Sequence, residues 1–240
     1  MDIQPSNVPL GPHIAAEPAA PWSLRDTWLG VALMILILAL LVLVIPLFQG
    51  NDSIIIPLMF LAESIYLVPI AVVLLARRVP WRSLGFKRFE WSSLGIGCGL
   101  LIATYSLSLI HNLILMRFGI STQGDMISEL MQSMSSPGWF VLIGALVAPV
   151  VEEMFFRGFL FSGFRQRYGW IGALVLSSAL FALAHLDPAS LFPTFLMGCV
   201  LAFVYHRSGS LWPGIILHCL LNSFALCAIF VTLKFSGILP

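Results

Sequence analysis

Glu152-Glu153-Met154-Phe155-Phe156-Arg157 sets two carboxylates and a guanidinium inside an otherwise apolar run. Two further apolar stretches carry Phe181-xxx-His185 and His218-xxx-Asn222. Charge at bilayer depth costs at least about 2.5 kcal/mol per group on insertion scales, so ionisable residues there point to function. Glu153 and Arg157 are four apart with the acid first, the spacing of a helical ion pair. Glu152 lies about 100° round the helix from Glu153 and falls outside that pair. Arg157 then holds Glu153, and Glu152 is left to act as a general base. Phe181 shares a helical face with His185 and can fix its imidazole. His218 and Asn222 share a face too, and an imidazole beside an amide supplies donors for an oxyanion. A base, a water-orienting histidine and two donors are what peptide hydrolysis by activated water requires.

Blander readings compete residue by residue. The Glu153–Arg157 pair could be purely structural. His111 reads first as a hydrogen-bonded core histidine, and His206, beside Arg207 and Ser208, as an interface residue. Glu63 reads first as a structural hydrogen-bonding group, with support of the site as the alternative. What favours chemistry is that three polar constellations occur together, each with its own cost in lipid.

The elements that must position these residues are helices in a membrane. The 240 residues are 59% hydrophobic and only 10% charged, against about 25% charged in soluble domains. A span needs about 20 apolar residues. Such runs lie at 28–48, 54–76, 94–117 and 138–166, with shorter ones at 170–186, 190–206 and 211–233. The expected fold is an all-α polytopic bundle of seven to eight transmembrane helices, at least one of them discontinuous. Residues 1–27, with five prolines, read as a disordered cytoplasmic tail, and 28–240 as the membrane domain. Residues 118–137 read as the longest outer loop, and Gln49-Gly50-Asn51-Asp52-Ser53 as a tight outer turn.

Arg77, Arg78, Arg82, Lys87 and Arg88 anchor residues 77–90 in the cytoplasm. Alternating from there leaves only Arg117 and Lys234 of the twelve Lys and Arg outside, a strong positive-inside bias with the N-terminus in. Residues 77–93 mix these cations with Trp81, Leu84, Phe86, Phe89 and Trp91, as suits a segment lying on anionic lipid. The net charge of +1 gives no nucleic-acid signal, and Cys98, Cys199, Cys219 and Cys227 read as packing residues without metal-ligand spacing.

Pro149 cannot donate to the carbonyl of Ala145, which predicts a kink and a hydrated cavity one turn from the glutamates. The run 171–185 is too short to cross, at about 22 Å, and Leu186-Asp187-Pro188 breaks it. His185 is thus expected at the end of a half-helix within the membrane. Glu152, His185, His218 and Asn222 are expected to converge on one polar cavity, wide enough for water and a peptide backbone.

EExxxR, FxxxH and HxxxN, in that order on hydrophobic helices, resemble the CAAX protease and bacteriocin-processing family. These are the Abi or type II CAAX prenyl endopeptidases, similar to the Ras-converting enzyme. Glu152, Glu153, Arg157, Phe181, His185, His218 and Asn222 fill every motif position, within a core at about 138–226. Arg-Ser-Gly-Ser-Leu-Trp-Pro-Gly ahead of His218 is similar to the family as well. The resemblance implies a glutamate-dependent intramembrane protease. Glu152 would activate water with His185, His218 and Asn222 would form the oxyanion site, and Glu153, Arg157 and Phe181 would support them. It favours a metal-free mechanism with no cofactor, although Glu152, Glu153, His185 and His218 are also the N and O donors zinc would take. The implied substrates are prenylated CAAX-type tails or bacterial peptides, alongside membrane lipids as partners, in a bacterial inner membrane. The competing readings are an ion-coupled transporter, for which no related halves are visible, and a non-catalytic immunity or scaffold protein.

Overall fold

The computed structural model describes residues 20–48 and 52–239. Residues 1–19 of the expected tail and 49–51 of the expected outer turn lie outside the described residues. The regular elements of the described residues are all helical, with α-helices α1 (Leu24–Val44), α2 (Asp52–Ser64), α3 (Leu67–Arg77), α4 (Ser92–Arg117), α5 (Gln123–Gln132), α6 (Pro137–Leu142), α7 (Ala148–Glu152), α8 (Ser162–Ala184), α9 (Leu191–Ser208) and α10 (Leu211–Phe235). The first helix begins at Leu24, four residues ahead of the run expected at 28.

Among the described residues, six helical stretches are long and apolar enough to cross a membrane. The sequence predicts seven or eight. The difference arises because the runs expected at 138–166 and 170–186 join in one 48-residue stretch, Pro137–Ala184. That stretch is not straight. Gly169 sits at φ 68°, ψ 179°, a backbone state open to glycine and closed to residues with a Cβ. Two π-helical segments, Ile143–Val147 and Glu153–Phe161, flank α7. Such wide turns are uncommon and cluster at functional sites.

Pro149 explains the first wide turn. The Ala148 amide donates to the Ile143 carbonyl, five residues back. In that register the next carbonyl, Gly144, would be served by residue 149, which has no N–H. The Asn222 amide takes that place, donating from Nδ2 to the Gly144 oxygen at 3.0 Å. The expected loose carbonyl, Ala145, is thus corrected to Gly144, because the register is π rather than α. A side chain from α10, rather than a hydrated cavity, satisfies it.

The second π segment is the centre of the molecule. Every residue of Glu153–Phe161 except Met154 is buried. Phe155, Phe156, Phe159, Phe161, Phe164 and Phe181 are fully enclosed, with Phe156 edge-on to both Phe155 and Phe181. On one side α1 is tied to α3 by a two-pronged ion pair, Arg77 Nε and Nη2 on the Asp26 carboxylate at 2.9 Å each. α9 and α10 pack against the π segment as well.

The expected outer loop carries a ten-residue helix, α5. Thr122 and Asp125 form a reciprocal capping box at its start, and the Thr122 amide and hydroxyl hold the Asp125 carboxyl below its usual pKa. Met131 on α5 is fully buried in a cluster with Ala145, Leu226, Leu233 and Leu239. A Thr-x-x-Asp start was readable in the sequence as a helix cap, but the short, weakly apolar run after it did not stand out.

Candidate active site

Three elements bring the chemistry together: the central π segment, the end of α8 and the first half of α10. Glu153 and Arg157 pair as their spacing predicts, Arg157 Nη1 donating to Glu153 Oε1 at 2.7 Å. Both are wholly buried. The guanidinium is held at two more points. Nη2 donates to the Gly198 carbonyl of α9 at 3.2 Å, and Cζ lies 4.4 Å from the centre of the Phe181 ring. A guanidinium over an aromatic face is stabilised by the ring quadrupole, more so when desolvated.

His218 stands between the two glutamates. Its Nδ1 is 3.1 Å from Glu153 Oε1 and its Nε2 3.6 Å from Glu152 Oε2. A carboxylate only accepts, so Nδ1 donates to Glu153. Nε2 has no hydrogen-bond partner in range. Glu152 was expected to be unpaired. It stays clear of Arg157, but it faces His218 at a separation slightly longer than a hydrogen bond. Glu63, at the end of α2, is an electrostatic neighbour of Glu152 as well.

Phe181 links the rest. Its carbonyl lies 2.8 Å from His185 Nδ1. A carbonyl also only accepts, so Nδ1 carries the proton and Nε2 presents its lone pair. The Phe181 ring lies edge-on to His185 at 4.8 Å and to His218 at 5.8 Å between centroids. One ring therefore touches Arg157, His185 and His218. The sequence assigned Phe181 a single role beside His185, because spacing along one helix cannot show what another helix brings to the same ring.

His185 closes α8 as its C-cap, and Leu186 follows at φ 54°. A left-handed non-glycine residue is sparsely populated and needs a surrounding structure to hold it. Here Asp187 Oδ1 accepts from the Ala189 amide at 3.0 Å, and His111 Nε2 donates to the Ala189 carbonyl at 2.9 Å. His111 is thus a fastening residue of the turn after His185, in line with its expected hydrogen-bonded role.

Asn222 lies one turn beyond His218 on α10 and, like it, is directed at the stretch from α6 to the π segment. One of its amide hydrogens is committed to Gly144. Glu152 is 8% exposed and His218 1%, while His185 and Asn222 are half-buried. The site is thus more tightly packed than the wide cavity expected from sequence. Glu152, His185 and Asn222 keep partial access, and Glu153, Arg157 and His218 are enclosed.

Gly214 went unremarked as a site residue. A Cβ there would lie 2.8 Å from Glu153 Oε2. Glu153 cannot move aside freely, since Arg157 and His218 hold its other oxygen. Gly214→Ala is expected to displace the carboxylate and lower hydrolytic activity by about tenfold or more, since misplacements near 1 Å can cost about 10²-fold. Gly95→Ala, whose added Cβ meets nothing within 4 Å, should leave turnover unchanged in the same assay.

Among the described residues no three His, Cys, Asp or Glu side chains come together as a metal-holding group. Glu152 and His218 are the nearest candidates, with Glu153 Oε1 already committed to Arg157 and His218.

Comparison with known proteins points to the same stretch of the chain. The family model described as "Type II CAAX prenyl endopeptidase Rce1-like" matches residues 134–224, the segment holding all seven motif residues. Over that segment the chain is similar to the Rce1-like, or Abi/CPBP, family. It is 25% identical over 160 residues to "Putative membrane peptidase YdiL" of Bacillus subtilis (strain 168), covering 65% of each chain. It is also 29% identical over 148 residues to "UPF0177 protein YaiF" of Lactococcus lactis, covering 57% of this chain and 64% of that one. An "Uncharacterized 24.3 kDa protein" of Escherichia coli is 38% identical over 79 residues, 30% of this chain and 36% of that protein. The chain spans less than two thirds of the length of each of these relatives. No solved structure matches.

Proposed function

We propose that the protein is an intramembrane endopeptidase that cleaves peptide bonds with a water molecule activated by Glu152 and oriented by His185. The observation that carries this reading is the two-sided placement of His218. Its Nδ1 is anchored on the buried Glu153–Arg157 pair, and its Nε2 is turned to Glu152 with no hydrogen-bond partner. An anchored imidazole facing a carboxylate that is free of the ion pair has the form of a reaction site rather than of a packing contact.

In the proposed reaction, Glu152 takes a proton from water as the water oxygen attacks the scissile carbonyl. His185 Nε2, its tautomer fixed by the Phe181 carbonyl, accepts the second water hydrogen bond. The new oxyanion is met by His218 Nε2–H and by the second Asn222 amide hydrogen. Collapse breaks the C–N bond, and the proton held by Glu152 passes to the leaving amine.

The substrate reading is a prenylated CAAX-type tail or a bacterial peptide. The membrane reading is a multi-pass protein of a bacterial inner membrane, with the N-terminus cytoplasmic and the segment 170–184 ending within the bilayer. The test is cleavage of a peptide library, with and without a prenyl group, by the purified protein beside Glu152→Gln. Cleavage lost in the variant supports the reading, and a silent wild-type protein would favour the immunity or scaffold role. Chelators are expected to leave turnover intact. Activity lost on chelation and restored by zinc would make Glu152 and His218 metal ligands.

A further inference from the structure

A second feature lies apart from the motif residues, on the face that the positive-inside bias assigns to the cytoplasm. After α3 the chain makes one 3₁₀ turn, Trp81–Leu84, and then runs without helix to Trp91. It is fastened at three points to the end of α9 and the start of α10. The Tyr205 hydroxyl donates to the Leu84 carbonyl at 3.0 Å, the Leu211 amide to the Gly85 carbonyl at 2.9 Å, and the Ser210 hydroxyl to the Lys87 carbonyl at 2.6 Å. Gly85 sits at φ 109° with Tyr205 packed where a Cβ would be, so only glycine allows this approach. The outcome is an open cleft of about 540 Å³, lined by Phe86, Lys87, Arg88, Phe89, Trp91 and Trp212. Phe86 meets Trp212 edge-on at 5.6 Å, and Phe89 packs on Trp91 at the same separation. Lys87 and Arg88 are exposed, and no described carboxylate pairs with them.

We propose that this cleft binds the phosphate ester of an anionic phospholipid from the cytoplasmic leaflet. Two neighbouring cations on a fixed backbone match a phosphate, and the guanidinium can grip it with two parallel N–H donors. Tryptophan is the side chain suited to headgroup depth, with an apolar body and a polar N–H. Trp91 and Trp212, 78% and 45% exposed, flank the cations where a lipid's glycerol and upper chain would lie. The Gly85 and Lys87 carbonyls are held by the first residue and the N-cap of α10, the helix that carries His218 seven residues on, so the lipid would brace the helix start that positions the site.

The test follows thermal unfolding of the purified full chain in a neutral detergent. The titrants are phosphatidylglycerol, phosphatidylcholine and glycerol phosphate. Phosphatidylglycerol is expected to raise the melting temperature saturably, with phosphatidylcholine inert. Lys87→Gln with Arg88→Gln should weaken apparent affinity by about ten- to thirtyfold, as two lost interfacial cations imply. Arg78→Gln with Arg82→Gln removes the same charge outside the cleft and should leave affinity near that of the wild type. Equal losses in the two double variants would show diffuse attraction and overturn the site. So would an undiminished response in Lys87→Gln/Arg88→Gln, or an equal response to phosphatidylcholine. If glycerol phosphate acts at the same concentrations as the lipid, the ligand is a soluble anion and the lipid assignment falls. None of these readouts depends on peptide cleavage.

Discussion

Glu152→Gln is expected to stop hydrolysis while the protein keeps its melting temperature. The side chain is nearly isosteric, and the contact it would disturb is the 3.6 Å approach to His218 Nε2, too long for a hydrogen bond. No ion pair to Arg157 is broken. What changes is that an amide cannot accept a proton from water. Loss of a general base costs about 10²–10⁴-fold, so turnover should fall into that range with folding intact. Single-turnover cleavage in detergent, run beside thermal unfolding of the same preparation, checks both halves. More than half the wild-type rate in the variant would refute the assignment. A parallel fall in melting temperature would make Glu152 a structural residue.

Much of the site was legible because helical spacing is short-range information. Glu153 and Arg157 at four residues pair as read, and Phe181 positions His185 as read. The break after His185 was visible in Leu186-Asp187-Pro188. What spacing could not give is what separate helices bring to one point. That His218 sits between Glu152 and Glu153, and that the Phe181 ring serves three side chains, depends on how α8 and α10 pack on the central segment. Asn222 illustrates the limit. Its place one turn from His218 was clear, but its bond to Gly144 follows from a π register that a sequence does not display. The fold was read by the same means and with the same gap. Apolar runs gave the helices, whereas Gly169 joins two of them into one bent stretch because a glycine can turn the backbone without leaving it unbonded. The helix α5 was missed because ten residues with mixed polarity carry little apolar signal, and it is held by its cap and by Met131.

Glu153→Ala is expected to damage stability as strongly as activity, which separates it from its neighbour. Glu153 Oε1 receives both Arg157 Nη1 at 2.7 Å and His218 Nδ1 at 3.1 Å, with the carboxylate wholly buried. Without it the guanidinium keeps only the Gly198 carbonyl and the face of Phe181. Those partners supply a dipole and a quadrupole but no opposing charge. Removing one member of a buried ion pair costs about 3–5 kcal/mol, largely because the other is left uncompensated. If that is the origin of the loss, a second substitution that removes the stranded charge should reverse it. Glu153→Leu combined with Arg157→Met replaces the pair with apolar side chains, and such exchanges are often neutral or stabilising. The double variant should therefore unfold near the wild-type temperature in detergent. It should remain inactive, because His218 Nδ1 has lost its acceptor and Nε2 is no longer aimed at Glu152. An unchanged melting temperature for Glu153→Ala would show that the pair carries no stability. A double variant as unstable as the single one would place the loss in packing rather than in charge.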